Sequence, residues 1–299
     1  MALLQEKKCI FCNSEDTETI PARIAPFIKE RINNLSDLSF NLIHCKKCGS
    51  AFYDYRYSEE EVQKIYNGYR NQQYQESRQK YENWYSKEIN KLIGDDKKAI
   101  KSRNNNLTKI LKENVPVDNI KTILDYGGDK GQYIPDIFNN KQKYVYDISN
   151  TSVLDGVVSI KDLKTCYELQ KEGYDLIICA HVLEHLTNPE ETIKTIKSLL
   201  KKNGYLYIEL PFDSPFYKRP MDNIQYLFNK YFKFKDLVAK YFEMKNQKYA
   251  LMHEHINFYT ICGLNHLLLR NDFKVKYSQI RKIYSVIGMS RVISALYYL

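Results

Sequence analysis

The segment KTILDYGGDKGQY constrains this chain most. Apolar Ile123 and Leu124 lead into Asp125, and Gly127, Gly128 and Gly131 follow within six residues before a helix start. An apolar strand that ends in a carboxylate and runs straight into a glycine-rich turn is the opening βα unit of an α/β sheet, where backbone has to approach a ligand closely. The dinucleotide fingerprint wants glycine at i, i+2 and i+5. Counted from Gly127, the second and third of these positions hold Asp129 and Gln132, which disfavours a nicotinamide cofactor.

The segments beyond this turn strengthen the α/β reading. A second strand, KYVYD, ends in Asp147, 22 residues after Asp125, and a short strand near Val157 to Ile160 precedes Asp162. A fourth, YDLIICA, continues into His181, Glu184 and His185. The helix expected from Pro189 to Lys202 carries Ile193, Ile196, Leu199 and Leu200 at helical spacing, closes on Lys201 and Lys202, and stops at Gly204. It feeds the strand YLYIELP, and two last strands are expected in FKVKYSQI and YSVIGMSRV. Cys179 reads as a core residue of the fourth strand, and Cys166 and Cys262 are isolated.

The run from Asp125 to Gly131 resembles motif I of class I S-adenosylmethionine-dependent methyltransferases, D-x-G-x-G-x-G, with Asp129 in place of the middle glycine. The resemblance covers about residues 118 to 299, apart from an insertion. It implies a Rossmann-like sheet of seven strands, the last antiparallel. S-adenosylmethionine would be held by Asp125, Gly127, Gly128, Asp129, Gly131, Asp147, Asp162 and His181. Asp147 would accept from the ribose hydroxyls and Asp162 would lie near the adenine amino group, although a solvent-facing Asp fits that place as well. Glu184 and His185 also read as a first-turn acid and a cap of the next helix.

Four of the seven cysteines form two C-x-x-C pairs, Cys9/Cys12 and Cys45/Cys48, with 32 residues between them. In a reducing compartment such pairs are zinc ligands more often than disulfides, since four thiolates complete a tetrahedron. A closed site of this kind is structural, because no coordination position stays open for chemistry. His44, next to Cys45, is an alternative ligand. The expected organisation is a zinc-binding module over 1–57, a helical connector over 58–117 and a methyltransferase domain over 118–299 with an acceptor-binding insertion at 212–252. The connector carries Tyr66, Tyr69, Tyr74, Tyr81, Trp84 and Tyr85, rings that would pack on the next domain or lid a cleft.

Past the insertion comes HEHINFYT, with Thr260 as N-cap of a helix containing Leu264, Leu267 and Leu268. His253 and His255 are two apart, not the i, i+4 of a zincin helix, so a catalytic metal is not expected. Together with the cysteine pairs, this segment resembles bacterial sugar methyltransferases of deoxysugar, capsule and lipopolysaccharide gene clusters. That resemblance maps Glu254 and His255 onto acceptor-binding and base positions, with His253 beside them. A structural role for the two histidines is the alternative. The C-methylating members usually carry Tyr where this chain has Met252, and continue into a further Rossmann-like domain. Both departures point to O-methylation of a nucleotide-activated sugar, a heptose being one candidate, with C-methylation of a keto-deoxysugar nucleotide as the alternative.

The net charge of +9 favours an anionic partner. Lys218, Arg219, Lys230, Lys233 and Lys235 of the insertion are candidates for a diphosphate, and the insertion could also serve as a homodimer interface. RNA methylation lacks an N/D-P-P-F/Y motif and an aromatic-basic binding module. A non-catalytic scaffold is a third class, with Asp129 as the mark of a degraded pocket. The N-terminus has no secretory apolar stretch and no run is long enough for a membrane span, so a cytoplasmic location is expected. Ile283 to Leu299 reads as a core strand with a packed tail, against a membrane-surface anchor.

Overall fold

The computed structural model describes residues 2–3, 8–33, 39–149, 151–213, 249–286 and 288–299. The chain divides into two compact units. The first is made of Met1–Asp96, Ser214–Phe258 and Val286–Gly288, the second of Lys97–Asp213, Tyr259–Ser285 and Met289–Leu299. These boundaries differ from the expected ones at 57 and 117. Part of the connector and the HEH segment belong to the first unit, because their apolar side chains complete its core.

In the first unit, β1 (Ala2–Leu3) pairs with β5 (Tyr55–Arg56). The main sheet comprises β2 (Thr17–Ile24), β3 (Phe40–Cys45), β4 (Ala51–Tyr53), β11 (Ala250–Met252) and β12 (Asn257–Phe258), in the order β11-β2-β3-β4-β12. Strands β2, β3 and β4 form an antiparallel meander, β11 adds in parallel to β2, and β12 adds antiparallel to β4. Residues 253–256 therefore cross from one edge of the sheet to the other, over the end marked by Ile24, Phe40 and Tyr53.

Among the described residues, this unit also holds helix α1 (Pro26–Arg31) and helices α2 (Glu59–Tyr66), α3 (Gln72–Tyr81) and α4 (Lys87–Leu92). The last three start where Ser58, Asn71 and Ser86 accept the N–H three residues on. Such caps are worth about 1 kcal/mol each. At α2 the cap is a reciprocal box, since the Glu61 carboxylate accepts the Ser58 N–H at 2.8 Å. Connector rings pack on one another and on α1 within this unit. Tyr74 meets Phe27, Tyr69 and Tyr85 edge-to-face at 5.2, 5.2 and 6.3 Å, and Trp84 meets Tyr85 at 5.5 Å.

The second unit opens with α5 (Lys97–Asn114), whose Leu107, Ile110 and Leu111 face its core. The sheet comprises β6 (Thr122–Tyr126), β7 (Gln142–Tyr146), β8 (Val157–Ile160), β9 (Tyr174–Ala180), β10 (Leu200–Pro211), β13 (Lys274–Ser285) and β14 (Gly288–Tyr298), in the order β13-β14-β10-β9-β6-β7-β8. Strands β6 to β10 run parallel, and β14 is antiparallel to β10. This is the Rossmann-like seven-stranded sheet expected. The order reverses between β6 and β9, so a crevice opens beyond their carboxyl ends.

The remaining helices are α6 (Leu163–Leu169), α7 (Pro189–Leu199) and α8 (Ile261–Leu269). Thr260 caps α8 through the Gly263 N–H at 2.9 Å, as anticipated. α7 ends at Leu199 rather than Lys202, because Leu200 already pairs with Tyr174 on β9 and a register shift follows before Tyr205. The tail segment is a core strand, as expected, with Val292 to Tyr297 at most 1% exposed. Among the described residues, no helix is long and apolar enough to cross a membrane.

Candidate functional site

The crevice of the second unit is framed on one side by the turn after β6. Gly127 and Gly131 have φ of +73° and +78°, which glycine adopts without strain. Asp129, the residue that departs from the glycine motif, is also left-handed at +51°, a conformation that Asp tolerates better than most residues. A Cβ on Gly128 would stand 2.3 Å from Asp125 Cγ, and one on Gly127 would stand 2.5 Å from Val182 Cγ2. The turn thus closes tightly on the carboxylate below it and on the segment after β9.

Asp125 is 1% exposed and its Oδ2 has no hydrogen-bond partner. Burial, together with the neighbouring Asp147 and Asp129 carboxylates, pushes its pKa up to about 8. Asp147, at the end of β7, accepts the Asp129 N–H through Oδ2 at 2.9 Å and the Ser149 N–H through Oδ1 at 2.7 Å. Asp162 caps α6, accepting the N–H and hydroxyl of Thr165 at 2.9 and 2.8 Å, and is exposed. A buried carboxyl oxygen without a partner, under a turn that any side chain at 128 would fill, fits a polar ligand such as S-adenosylmethionine.

The other side of the crevice carries a charged group that sequence reading did not find. Arg103 of α5 pairs with Glu209 of β10, Nε to Oε1 at 2.9 Å, with the two side chains 16% and 2% exposed. Its guanidinium lies 4.6 Å from the centre of the Tyr133 ring. Burial would raise the Glu209 carboxyl, but the Arg103 charge and the His181 ring hold it below the usual range. His181 is left-handed at +58°, and Arg103 reaches its Nε2. The same Nε2 lies 3.3 Å from Glu209 Oε1, and Nδ1 lies 3.2 Å from Glu184 Oε1, so the ring sits between two carboxylates and a guanidinium. Glu184 and His185 lie in a 3-10 turn, Leu183–His185, before α7 and not in its first turn. The one hint in sequence was an acid inside the apolar strand YLYIELP; nothing marked Arg103 among the basic residues.

In the first unit, the cysteine pairs form two equivalent knuckles. Cys9 and Cys45 each accept the N–H four residues on, from Asn13 and Gly49, and each donates its own N–H to a serine carbonyl, Ser14 and Ser50. Asn13 and Gly49 both have positive φ, so the first knuckle uses Asn where the second uses Gly. The four Sγ atoms lie within 4.8 Å of one another, with Cys9 to Cys48 at 3.7 Å and Cys12 to Cys45 at 3.5 Å. Thiolates bound tetrahedrally at about 2.3 Å are spaced close to these separations, so the donor set fits zinc. His44 turns to Glu18 on the facing strand, Nδ1 to Oε1 at 2.8 Å, and is no ligand in this arrangement.

The HEH segment spans the opposite end of the same sheet. The Glu254 carboxylate accepts from Arg78 at 2.7 Å and from the Tyr74 hydroxyl at 3.0 Å. Burial would raise it, but the Arg78 charge leads the groups that hold it below the usual range. His253 Nδ1 lies 3.3 Å from Glu82, and its carbonyl accepts from Tyr57 at 3.0 Å. His255 is half-buried between β11 and β12. Residues Lys218, Arg219, Lys230, Lys233 and Lys235 of the insertion lie outside the described residues.

A curated relative, a ubiquinone biosynthesis O-methyltransferase of Glaesserella parasuis serovar 5 (strain SH0165), is 49% identical over 37 residues, 12% of this chain and 16% of its own length. The chain thus spans about one sixth of that relative. Among solved structures, 1,6-didemethyltoxoflavin-N1-methyltransferase of Burkholderia thailandensis aligns over 69% of this chain and 80% of its own, at 13% identity and TM-score 0.45. Magnesium protoporphyrin IX methyltransferase of Synechocystis PCC 6803 aligns over 65% and 83%, at 14% identity and TM-score 0.42. A family model described as a methyltransferase domain matches residues 71–278, well over half of the chain. With that match and the seven-stranded sheet around its glycine turn, the chain belongs to the methyltransferase-domain family.

Proposed function

We propose that the chain methylates a hydroxyl of a nucleotide-activated sugar, a precursor of capsule or another surface polysaccharide, with His255 as general base. Bound S-adenosylmethionine supplies an electrophilic methyl group on a sulfonium. Asp147 would hold the ribose, Asp125 and the turn from Gly127 to Gly131 would receive the amino-acid portion, and His181 would border it. The acceptor oxygen would bond to the methyl carbon as the carbon–sulfur bond breaks, and the hydroxyl proton would pass to the His255 imidazole. An imidazole with an ordinary pKa of about 6.5 is suited to that task near neutral pH. Four thiolates would hold a structural zinc that takes no part in this chemistry.

Met252 carries the choice of O- over C-methylation. It is fully buried in the apolar core of the first unit, so no hydroxyl stands at that place to stabilise an enolate. The test is incubation with methyl-labelled cofactor and a panel of nucleotide sugars, followed by location of the label. Label on a sugar oxygen, abolished by His255→Ala with S-adenosylhomocysteine affinity unchanged, is the expected result. Label on carbon, or a His255→Ala enzyme at wild-type rate, overturns it.

A further inference from the structure

We infer that Arg78 is the positioning residue of the acceptor site, pinning Glu254 and through it the segment that carries His255. This rests on the reading of that segment as the acceptor site. Both ends of the crossing are held by backbone. The Ala25 N–H donates to the Met252 carbonyl at 2.9 Å and the Tyr53 N–H to the Ile256 carbonyl at 3.0 Å. Arg56 adds a bond to Asn257 Oδ1 at 2.9 Å. Between those ends the chain passes from one edge strand to the other in five residue steps. Four inter-strand gaps of about 4.8 Å leave little slack in it.

The centre of the crossing depends on side chains. Arg78 Nη1 donates to Glu254 Oε1 at 2.7 Å and to the Tyr74 hydroxyl at 3.1 Å, and its Nε donates to Glu82 at 3.0 Å. The guanidinium is stacked 4.3 Å from the centre of the Tyr85 ring, and the residue is 9% exposed. One planar cation thus joins two carboxylates, the second of which also meets His253. Without it, two buried acids face each other, and Glu254 would leave for water with the segment attached. A lysine retains the charge but not the fork.

Hydrogen exchange and the His255 ring resonances of the full chain test this. Arg78→Met should speed exchange of residues 250–258 at least tenfold and move the His255 ring signals. Exchange in Thr17–Ile24 and Phe40–Cys45 should stay within twofold, and Arg78→Lys should restore part of both effects. The double variant Arg78→Met/Glu254→Gln should exchange no faster than Glu254→Gln alone, since the acid on the crossing itself is gone and the remaining Glu82 keeps His253 as a neighbour. Unmoved His255 signals, or exchange rising equally through the whole sheet, overturn the assignment. If Arg78→Met behaves as expected while His255→Ala transfers methyl at wild-type rate, the pin stands and the acceptor-site reading alone falls.

Discussion

The Asp147 carboxylate accepts the backbone N–H of Asp129 at 2.9 Å, so the acid that ends β7 also secures the turn after β6. Its proposed role toward the cofactor ribose and its role in the turn are coupled, because the position that departs from glycine is the one it holds.

Asp147→Ala should therefore weaken S-adenosylmethionine by roughly tenfold to a hundredfold, the equivalent of about 1–3 kcal/mol for lost bonds to a charged acceptor. Titration calorimetry reads this directly. Unchanged affinity would move the cofactor out of this crevice.

Asp125 predicts an unusual pH dependence. Its folded pKa of about 8 lies above the unfolded value of about 3.9. The stability it contributes is fully present below pH ~4 and is lost as pH rises through about 8. Asp125→Asn removes this loss, so the variant should gain on wild type by a few kcal/mol, in order of magnitude, between pH 5 and pH 9. Urea midpoints of both proteins across that range are the measurement, and parallel curves would refute the buried, uncharged carboxyl.

Cys45→Ser should lower bound zinc from about one per chain to less than a tenth, as judged by elemental analysis, with a lower melting temperature for the first unit. S-adenosylhomocysteine affinity should change less than threefold, since no cysteine of the cluster belongs to the second unit. Full metal retention would make the four thiols something other than a zinc site.

The turn from Asp125 to Gly131, Asp147 and the two cysteine pairs were legible because each is written in local spacing. Close backbone approach demands small residues, and a knuckle demands a left-handed residue after its second cysteine. Asp162 had two readings, and its bonds to Thr165 give it a cap whatever else it binds. The ion pairs of Arg103 with Glu209 and Arg78 with Glu254 were not legible. They join residues 106 and 176 positions apart, and neither partner has a pattern of its own. The unit boundaries were missed for a similar reason. Strands of three and two residues, β11 and β12, show no periodicity, yet they take the HEH segment into a sheet begun more than 200 residues earlier.

That late arrival has a cost during synthesis. Until the ribosome has delivered Phe258, β2 lacks β11 and β4 lacks β12, so the nascent cysteine module presents two open strand edges while the whole parallel portion of the other sheet is being made. Open edges recruit other chains, and a metal gathered early by the four thiols would be the first clamp on that half-finished sheet.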